Sequence, residues 1–196
     1  MKYLLFILLL ISNRTFSQES PSDFWKNQCD FKTDGLKKSL GMKIKLSVPC
    51  NWKQADGERP HVVKKFLSNY GENSAFSTLT ITEMPEAPSN TEVDYMFTEK
   101  GLRELIAGMG TFLTGRKLKI DGQDCGEITL KMTRNHPIGT LYVYSLQYYF
   151  IYYNKIVVLG YAVSSPTDEN SKKMFESYKM LFRGLAGNTV IFTKWD

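Results

Sequence analysis

The segment LYVYSLQYYFIYYNKIVVLGYAV, residues 141–163, decides the fold class of this chain. It is nearly continuous in Leu, Val, Ile, Tyr and Phe, so a membrane helix is the alternative to exclude. Asn154-Lys155 divides the run, Gln147 interrupts its first half, and its seven tyrosines favour strands over a bilayer core. The segment therefore predicts two long central strands that pair as a hairpin.

Shorter strand patterns lie on both sides of this hairpin. Residues 42–48 alternate strictly between apolar and polar side chains, which predicts a half-buried strand that ends at Pro49. The charged segment 54–60 reads as a loop, and residues 18–41 are polar and turn-rich, without a pattern of regular structure. The other predicted strands are 61–69 and 75–83, joined by the turn-like segment 70–73, then 111–120 and 127–134, joined through Asp121-Gly122, and finally 189–193.

A first helix is predicted after the prolines that break the strand pattern. Ser89 or Asn90 can cap it, and its apolar residues approximate one face as far as Met109. Gly101 costs about 1 kcal/mol relative to alanine inside a helix, so the helix can bend or divide there.

A second helix is predicted near the C-terminus. Ser165, Pro166 and Asp168 have the order of a cap, a first-turn proline and a capping-box acid. Apolar residues then follow at spacings of three and four, and Gly184 or Gly187 ends the helix.

These elements combine into one architecture. Every predicted link between successive strands is short enough for a hairpin, which favours an antiparallel sheet. The central pair is apolar on both sides of the pleat, so both faces need cover, one from each helix. The sequence therefore predicts an α+β fold, a three-layer α/β/α sandwich with a central, mainly antiparallel sheet.

The N-terminus has the features of a cleavable secretory signal peptide. Lys2 precedes an unbroken apolar run at residues 3–11, and Thr15-Phe16-Ser17 places small residues where a signal peptidase cleaves, so we expect processing before Gln18. Nine apolar residues fall short of the roughly 20 that span a bilayer, so we expect no stable membrane insertion after cleavage. This pattern predicts secretion through the Sec pathway, into the periplasm or alternatively the extracellular space.

The charge of the mature chain argues against a nucleic-acid partner. Removal of Lys2 and Arg14 leaves 23 basic and 20 acidic residues, a net charge of +3. The basic residues are scattered, whereas nucleic-acid binding proteins cluster Lys and Arg on one surface.

Three cysteines follow the predicted signal peptide, and an exported protein meets conditions in which disulfides persist. Three pairings are possible, and each leaves one free thiol. Cys29 with Cys50 closes the shortest loop and is the favoured pair, which leaves Cys125 free and buried. No two cysteines or histidines have the spacing of a zinc site, so no metal is predicted.

The segment from Gly41 to Trp52, a glycine, an alternating strand and then Pro-x-x-Trp, resembles the opening of the PsbP-like family. That family includes extrinsic photosystem proteins, a Ran-binding nuclear import factor and bacterial envelope proteins. The resemblance implies that Pro49 ends the strand, that Trp52 packs the turn against the sheet, and that the protein binds rather than catalyses. Together with the signal peptide (1–17), it divides the rest of the chain into an N-terminal extension (18–41) and a PsbP-like α/β/α domain (42–196).

Few residues stand out as candidates for chemistry. No nucleophile elbow, phosphate-binding glycine loop or paired-histidine metalloprotease motif occurs, so no catalytic residue and no cofactor are assigned. His136 lies in Arg134-Asn-His-Pro137 between two predicted strands, and is either part of a plain loop or the edge of a binding site. Tyr142, Tyr144 and Tyr148 share one strand face, and form either an aromatic ligand wall or the packing surface beneath a helix.

Two functions from different classes fit these observations. The first is an exported, non-catalytic binding or accessory protein of the cell envelope, whose partner is an envelope protein or a small ligand. Arg134, His136 and Tyr148 are its candidate binding residues. The alternative is an exported hydrolase that uses His136.

Overall fold

The computed structural model describes residues 20–68, 73–137 and 139–192. The predicted signal peptide, the cleavage position before Gln18 and most of the turn predicted at 70–73 lie outside the described residues.

Within these ranges the chain forms four α-helices and ten β-strands. The helices are α1 (Pro21–Lys26), α2 (Asn90–Met96), α3 (Glu99–Leu105) and α4 (Asp168–Gly187). The first five strands are β1 (Gln28–Lys32), β2 (Lys43–Pro49), β3 (Lys53–Asp56), β4 (Val62–Leu67) and β5 (Ser74–Glu83). The last five are β6 (Thr111–Ile120), β7 (Gln123–His136), β8 (Gly139–Tyr152), β9 (Lys155–Ser165) and β10 (Val190–Phe192).

The predicted hairpins build a large antiparallel sheet. It contains seven strands in the order β3-β4-β5-β9-β8-β7-β6, and every neighbouring pair is antiparallel. Asp121 and Gly122 turn between β6 and β7 with φ values of 49° and 75°, the positive range that the Asp-Gly pair predicts. The segment 141–163 forms the adjacent strands β8 and β9, which confirms the predicted central hairpin.

Both faces of this sheet are covered, which confirms the α/β/α sandwich. On one face α4 packs across β8 and β9, with the ring centroids of Tyr161 and Phe182 5.6 Å apart. On the other face α2 and α3 enclose a separate core that includes Leu102, Ile128 and Tyr149. Long side chains project from both sides of the central strands, so each face buries its own apolar cluster.

A second, smaller sheet was not predicted. It has the order β1-β2-β10, so the strand predicted at 42–48 lies at its centre and belongs to this sheet instead of the large one. Its apolar side chains join the core beneath α4, where the rings of Phe31 and Phe66 lie 5.2 Å apart. The α4 face of the large sheet is therefore covered by a helix together with three strands.

The segment 18–41, whose sequence has no pattern of regular structure, contains α1 and β1. Phe24 of α1 is buried and its ring contacts both Trp52, at a centroid distance of 5.6 Å, and Tyr178 of α4, at 6.0 Å. Long-range contacts of this kind leave no periodic pattern in a short segment. The family-derived boundary at residue 41 stays a prediction.

The charged segment 54–60 is also not wholly a loop. Residues Lys53–Asp56 form β3, which pairs with β4 at the edge of the large sheet. Charged residues are common on edge strands because they discourage pairing with other chains. Such a strand resembles a loop in its composition.

The helix predicted from 90 to 109 is divided into α2 and α3. Thr98 begins the second helix, and its Oγ1 accepts a hydrogen bond from the Gly101 amide at 3.1 Å. A Cβ at Gly101 would collide with the carbonyl oxygen of Tyr95, so the close approach of the two helices requires glycine there. The division expected from Gly101 occurs at Phe97 and Thr98, just before it.

The start of α4 differs from the predicted cap. Thr167 is the N-cap and its side chain accepts from the Asn170 amide, whereas Ser165 still belongs to β9 and Pro166 precedes the helix. Ser165 instead accepts a hydrogen bond from the Asn170 side chain at 3.0 Å. The helix ends at Gly187, one of the two predicted positions.

The favoured disulfide is present. Cys29 on β1 is bonded to Cys50, which directly follows β2, and the two Cα atoms are 4.9 Å apart. β1 and β2 are already paired antiparallel, with Cys29 opposite Val48, so the bond fastens the N-terminal strand to the rest of the small sheet. Cys125 is free and buried, as predicted.

We expect replacement of both Cys29 and Cys50 by serine to lower the free energy of unfolding by about 3 kcal/mol, because the bond closes a loop of about 20 residues in the unfolded chain. Denaturant titration of the oxidised protein and the double variant measures the difference. Cys125→Ser is the control, because it removes a cysteine but keeps the Cys29–Cys50 disulfide. Peptide mapping without reductant that joins Cys125 to either partner would contradict the assignment.

Candidate functional site

The hairpin of β7 and β8 extends beyond the sheet that supports it. The pairing of β6 with β7 stops at Lys131, and that of β9 with β8 stops at Tyr142. The pairing of β7 with β8 continues to His136 opposite Gly139. Residues 132–136 and 139–141 are thus a two-stranded projection, called the arm from here on.

The arm presents polar and basic side chains to solvent. Arg134 and His136 are exposed, and because they are two residues apart on one strand they point to the same side of the ribbon. An Arg134 nitrogen lies 3.6 Å from the Met132 sulfur, which directs the side chain back along that face. Residues 128–167 contain no Asp or Glu, so the arm carries positive charge without an acid of its own.

The base of the arm is fixed to the start of α4 by Asp168. Its carboxylate accepts from Lys131 Nζ at 2.6 Å and from the Tyr144 hydroxyl at 3.0 Å. The hydrogen bond from Lys131 holds the pKa of Asp168 below its ordinary value. Ser171 adds a bond from its hydroxyl to the Tyr142 carbonyl at 2.8 Å. The arm therefore leaves the sheet from a rigid base.

Tyr148, the third predicted binding residue, lies in the interior. It is buried beneath α4, and its hydroxyl donates to Glu127 Oε2 at 2.8 Å. Burial, and then the nearby charge of Glu127, raise the pKa of Tyr148, so the hydroxyl keeps its proton at neutral pH. Tyr144 and Tyr148 thus form the packing surface beneath a helix, the second of the two interpretations of the tyrosine series.

The structure brings Arg134 and His136 together but leaves Tyr148 apart. Tyr148 lies nine positions along β8 from Gly139, the partner of His136, which is about 30 Å along an extended strand. The assignment of Arg134, His136 and Tyr148 as binding residues stays a prediction. A single small ligand does not reach all three.

A buried ion cluster surrounds Tyr148. Glu127 of β7 has a side chain only 6% exposed, and its Oε1 accepts from Arg116 of β6 at 2.8 Å and from Arg183 of α4 at 3.1 Å. Burial acts to raise the pKa of Glu127, but the hydrogen bonds from Arg116, Tyr148 and Arg183 outweigh it and hold the pKa below its ordinary value. The carboxylate is therefore ionised at neutral pH.

Sequence reasoning missed this cluster. One signal was available, because Glu127 is a lone acid within the otherwise uncharged run Cys125–Leu130. A charged residue in a buried strand usually has a partner. Its partners lie 11, 21 and 56 residues away, and no local pattern identifies them.

A surface pocket of about 360 Å³ lies between α1 and α4. Its polar groups are partly bonded to one another, as in the 3.0 Å hydrogen bond from the Asn170 amide to Asn73 Oδ1. The lining consists of Ser20, Pro21, Asn73, Asn170, Lys173, Met174, Ser177 and Tyr178. None of the predicted binding residues is among them.

The described residues contain no cluster of metal ligands and no reactive thiol. No group of three or more His, Cys, Asp or Glu side chains within them could hold a metal ion. Burial, followed by the charges of Glu127 and Asp124, raises the pKa of the Cys125 thiol to about 12, which keeps it in the unreactive protonated form. No helix in these ranges is long and apolar enough to cross a membrane.

Neither a protein-family model nor a curated protein sequence matches the chain. Several solved structures are similar in their chain arrangement. LpqN, involved in cell envelope biogenesis of Mycobacterium tuberculosis, has 11% identity and a TM-score of 0.47, covering 87% of this chain and 95% of that one. The Ran-binding protein Mog1p of Saccharomyces cerevisiae has 11% identity and a TM-score of 0.42, covering 84% and 95%.

A protein of Bacteroides thetaiotaomicron has 13% identity and a TM-score of 0.39, covering 78% of this chain and 46% of that one. None of these three similarities assigns a function to the chain.

We expect Glu127→Gln to lower the free energy of unfolding by about 2 kcal/mol at neutral pH, because it removes the charged acceptor of three hydrogen bonds. The depressed pKa means that this contribution is full above the ordinary value of 4.5 and is lost as the pH falls through the lower folded-state pKa. Thermal unfolding of both proteins across this range measures the effect.

The matched control is Glu99→Gln, which removes an exposed Glu-Arg ion pair on α3 and should change stability by less than about 0.5 kcal/mol. A stability difference for Glu127→Gln that stays constant down to the most acidic pH would show that the ionised carboxylate is not its cause.

Proposed function

We propose that this chain is an exported, non-catalytic binding or accessory protein of the cell envelope, and that the arm is its contact surface. The observation that carries the proposal is the arm itself. It is a projecting two-stranded ribbon with Arg134 and His136 exposed on one side and a fixed base at Asp168. The partner is an envelope protein or a small ligand that approaches this ribbon.

The position of Asp168 favours binding over hydrolysis at His136. A catalytic histidine needs a nucleophile and an orienting acid within hydrogen-bond reach. The acid at the base of the arm, Asp168, already accepts from Lys131 and Tyr144. Side chains alternate between the two faces of a strand, and Lys131 and His136 are five residues apart on β7. Asp168, which pairs with Lys131, therefore lies on the face opposite to His136. Binding by exposed arginine and histidine requires no such constellation.

Export and membership of the PsbP-like family are part of the same proposal. The Cys29–Cys50 disulfide is of the kind that persists in oxidising compartments. Pro49 is the last residue of β2 and the buried Trp52 packs against Phe24, an arrangement that fits the roles implied by the family. The periplasm is the proposed location, with the extracellular space as the alternative.

We expect His136→Ala to leave the fold intact and to weaken partner binding, because the exposed side chain contributes to contact and not to core packing. Purified protein should show no turnover of ester, peptide, glycoside or phosphate substrates. His61→Ala is the matched control, since it removes the other exposed histidine far from the arm. Robust turnover abolished by His136→Ala and retained in His61→Ala would reject the binding proposal in favour of the hydrolase.

Binding itself is tested by photo-cross-linking in cells. A photoreactive residue at position 136 should give a discrete adduct, absent when the same residue is placed at position 61. Arg134→Ala should reduce the adduct, whereas Arg59→Ala, which alters an exposed arginine elsewhere, should not. Equal labelling from both positions contradicts a contact surface on the arm.

We expect the protein recovered from the cell envelope or the medium to begin at Gln18. Intact-mass measurement should show loss of the first seventeen residues, because the small residues at Thr15 and Ser17 suit a signal peptidase. Full-length chain retained in the membrane fraction would overturn the proposed localisation.

A further inference from the structure

The ion cluster at Glu127 holds two guanidinium groups against one carboxylate oxygen. Arg116 Nε and an Arg183 terminal nitrogen both donate to Oε1, at 2.8 and 3.1 Å. Because they share an acceptor, the two nitrogens are at most 5.9 Å apart, the sum of those distances. Like charges this close repel one another unless anions balance them.

The charge of the cluster is unbalanced. Glu127 is the one carboxylate that forms an ion pair with either arginine within residues 20–68, 73–137 and 139–192. The hydroxyl of Tyr148 is a neutral donor to the same carboxylate. Two positive groups therefore meet one negative group, which leaves a net charge of +1.

The cluster also has more hydrogen-bond donors than acceptors. Each guanidinium has five N–H donors, whereas Glu127 offers about four acceptor positions and already accepts three bonds. The Nε of Arg183 is buried and has no hydrogen-bond partner within the described part of the chain. Buried donors without acceptors are uncommon in folded proteins.

The two arginine side chains are accessible to solvent, whereas the Glu127 carboxylate is buried. The Glu127 side chain is 6% exposed, but those of Arg116 and Arg183 are 59% and 37% exposed. Arg116 belongs to the edge strand β6 and Arg183 to α4, so the two guanidiniums reach Glu127 from different elements. A solute can reach both guanidiniums without displacing Glu127.

We propose that Arg116 and Arg183 form a binding site for a small oxyanion, either a phosphate or a carboxylate group. Guanidinium forks match the geometry of both groups and bind them through paired, charge-assisted hydrogen bonds. The bound anion supplies the second negative charge and accepts from guanidinium N–H groups that Glu127 does not use. The site lies five residues along β7 from the start of the arm, about 16 Å, and does not depend on the function proposed for the arm.

The test is a thermal-unfolding titration of the full mature protein with inorganic phosphate, and separately with sodium acetate, each at constant ionic strength set with chloride. A ligand that binds only the folded state raises the unfolding temperature as its concentration rises. Phosphate also stabilises proteins by exclusion from their surface, an effect that acts equally on closely related variants. The site is therefore measured as a difference between variants.

Arg116→Gln should weaken the apparent affinity about tenfold, because it removes one charged donor group. Arg103→Gln is the matched control, since Arg103 is 58% exposed and pairs with one glutamate on α3. Its response should equal that of the unchanged protein. Arg183→Lys keeps the charge but loses the fork, and should also weaken binding.

Backbone amide shifts in NMR spectra should locate the response at residues 115–117 and 182–184. A response to phosphate alone assigns the site to phosphate groups, one to acetate alone assigns it to carboxylates, and one to both supports a general oxyanion site. His136→Ala should leave the response unchanged, which separates this proposal from that for the arm. Equal responses in Arg103→Gln and Arg116→Gln, or no response in any protein, overturn the site.

Discussion

Side chains on both faces of β8 and β9 are buried, and the rest of the structure depends on covering them. Tyr161 of β9 stacks on Phe182 of α4, while Tyr149 of the adjacent strand β8 packs on the opposite face, in the core beneath α2 and α3. Burial of apolar surface stabilises a fold by about 25 cal/mol for each Å² that is removed from water. A sheet that is apolar on both sides therefore requires two covering layers, and the N- and C-terminal segments complete one of them.

Among the buried polar side chains of the described residues, Glu127 is the charged one. Transfer of an ionised group out of water is costly unless hydrogen bonds and opposite charges replace the solvent. Arg116, Tyr148 and Arg183 provide that replacement from an edge strand, a central strand and a helix. The polar cluster thus connects the edge strand β6, through Glu127 of β7, to α4. Burial of the carboxylate and exposure of the arginines are consequences of the same arrangement.

Local patterns were sufficient to predict the elements whose signals lie within a single segment. The central hairpin, the Asp121-Gly122 turn and the amphipathic α4 each have their own periodicity or turn chemistry. The small sheet could not be predicted, because β1 has no periodic pattern of its own and β10 pairs with β2 from the opposite end of the chain. The Glu127 cluster was missed for the same reason. Arg134 and His136 could be singled out because a polar break between two long strands marks a hairpin end.

The arm and the Glu127 cluster lie on one antiparallel ladder, and this arrangement constrains what either can do. The register runs without interruption from Cys125 opposite Phe150 to His136 opposite Gly139. A shift by one residue would exchange the two faces of the pleat and move Tyr148 away from Glu127. It would also move Lys131 away from Asp168 at the base of the arm. The buried cluster and the Lys131–Asp168 pair therefore both oppose slippage of β7 against β8, which keeps Arg134 and His136 on one side of the arm.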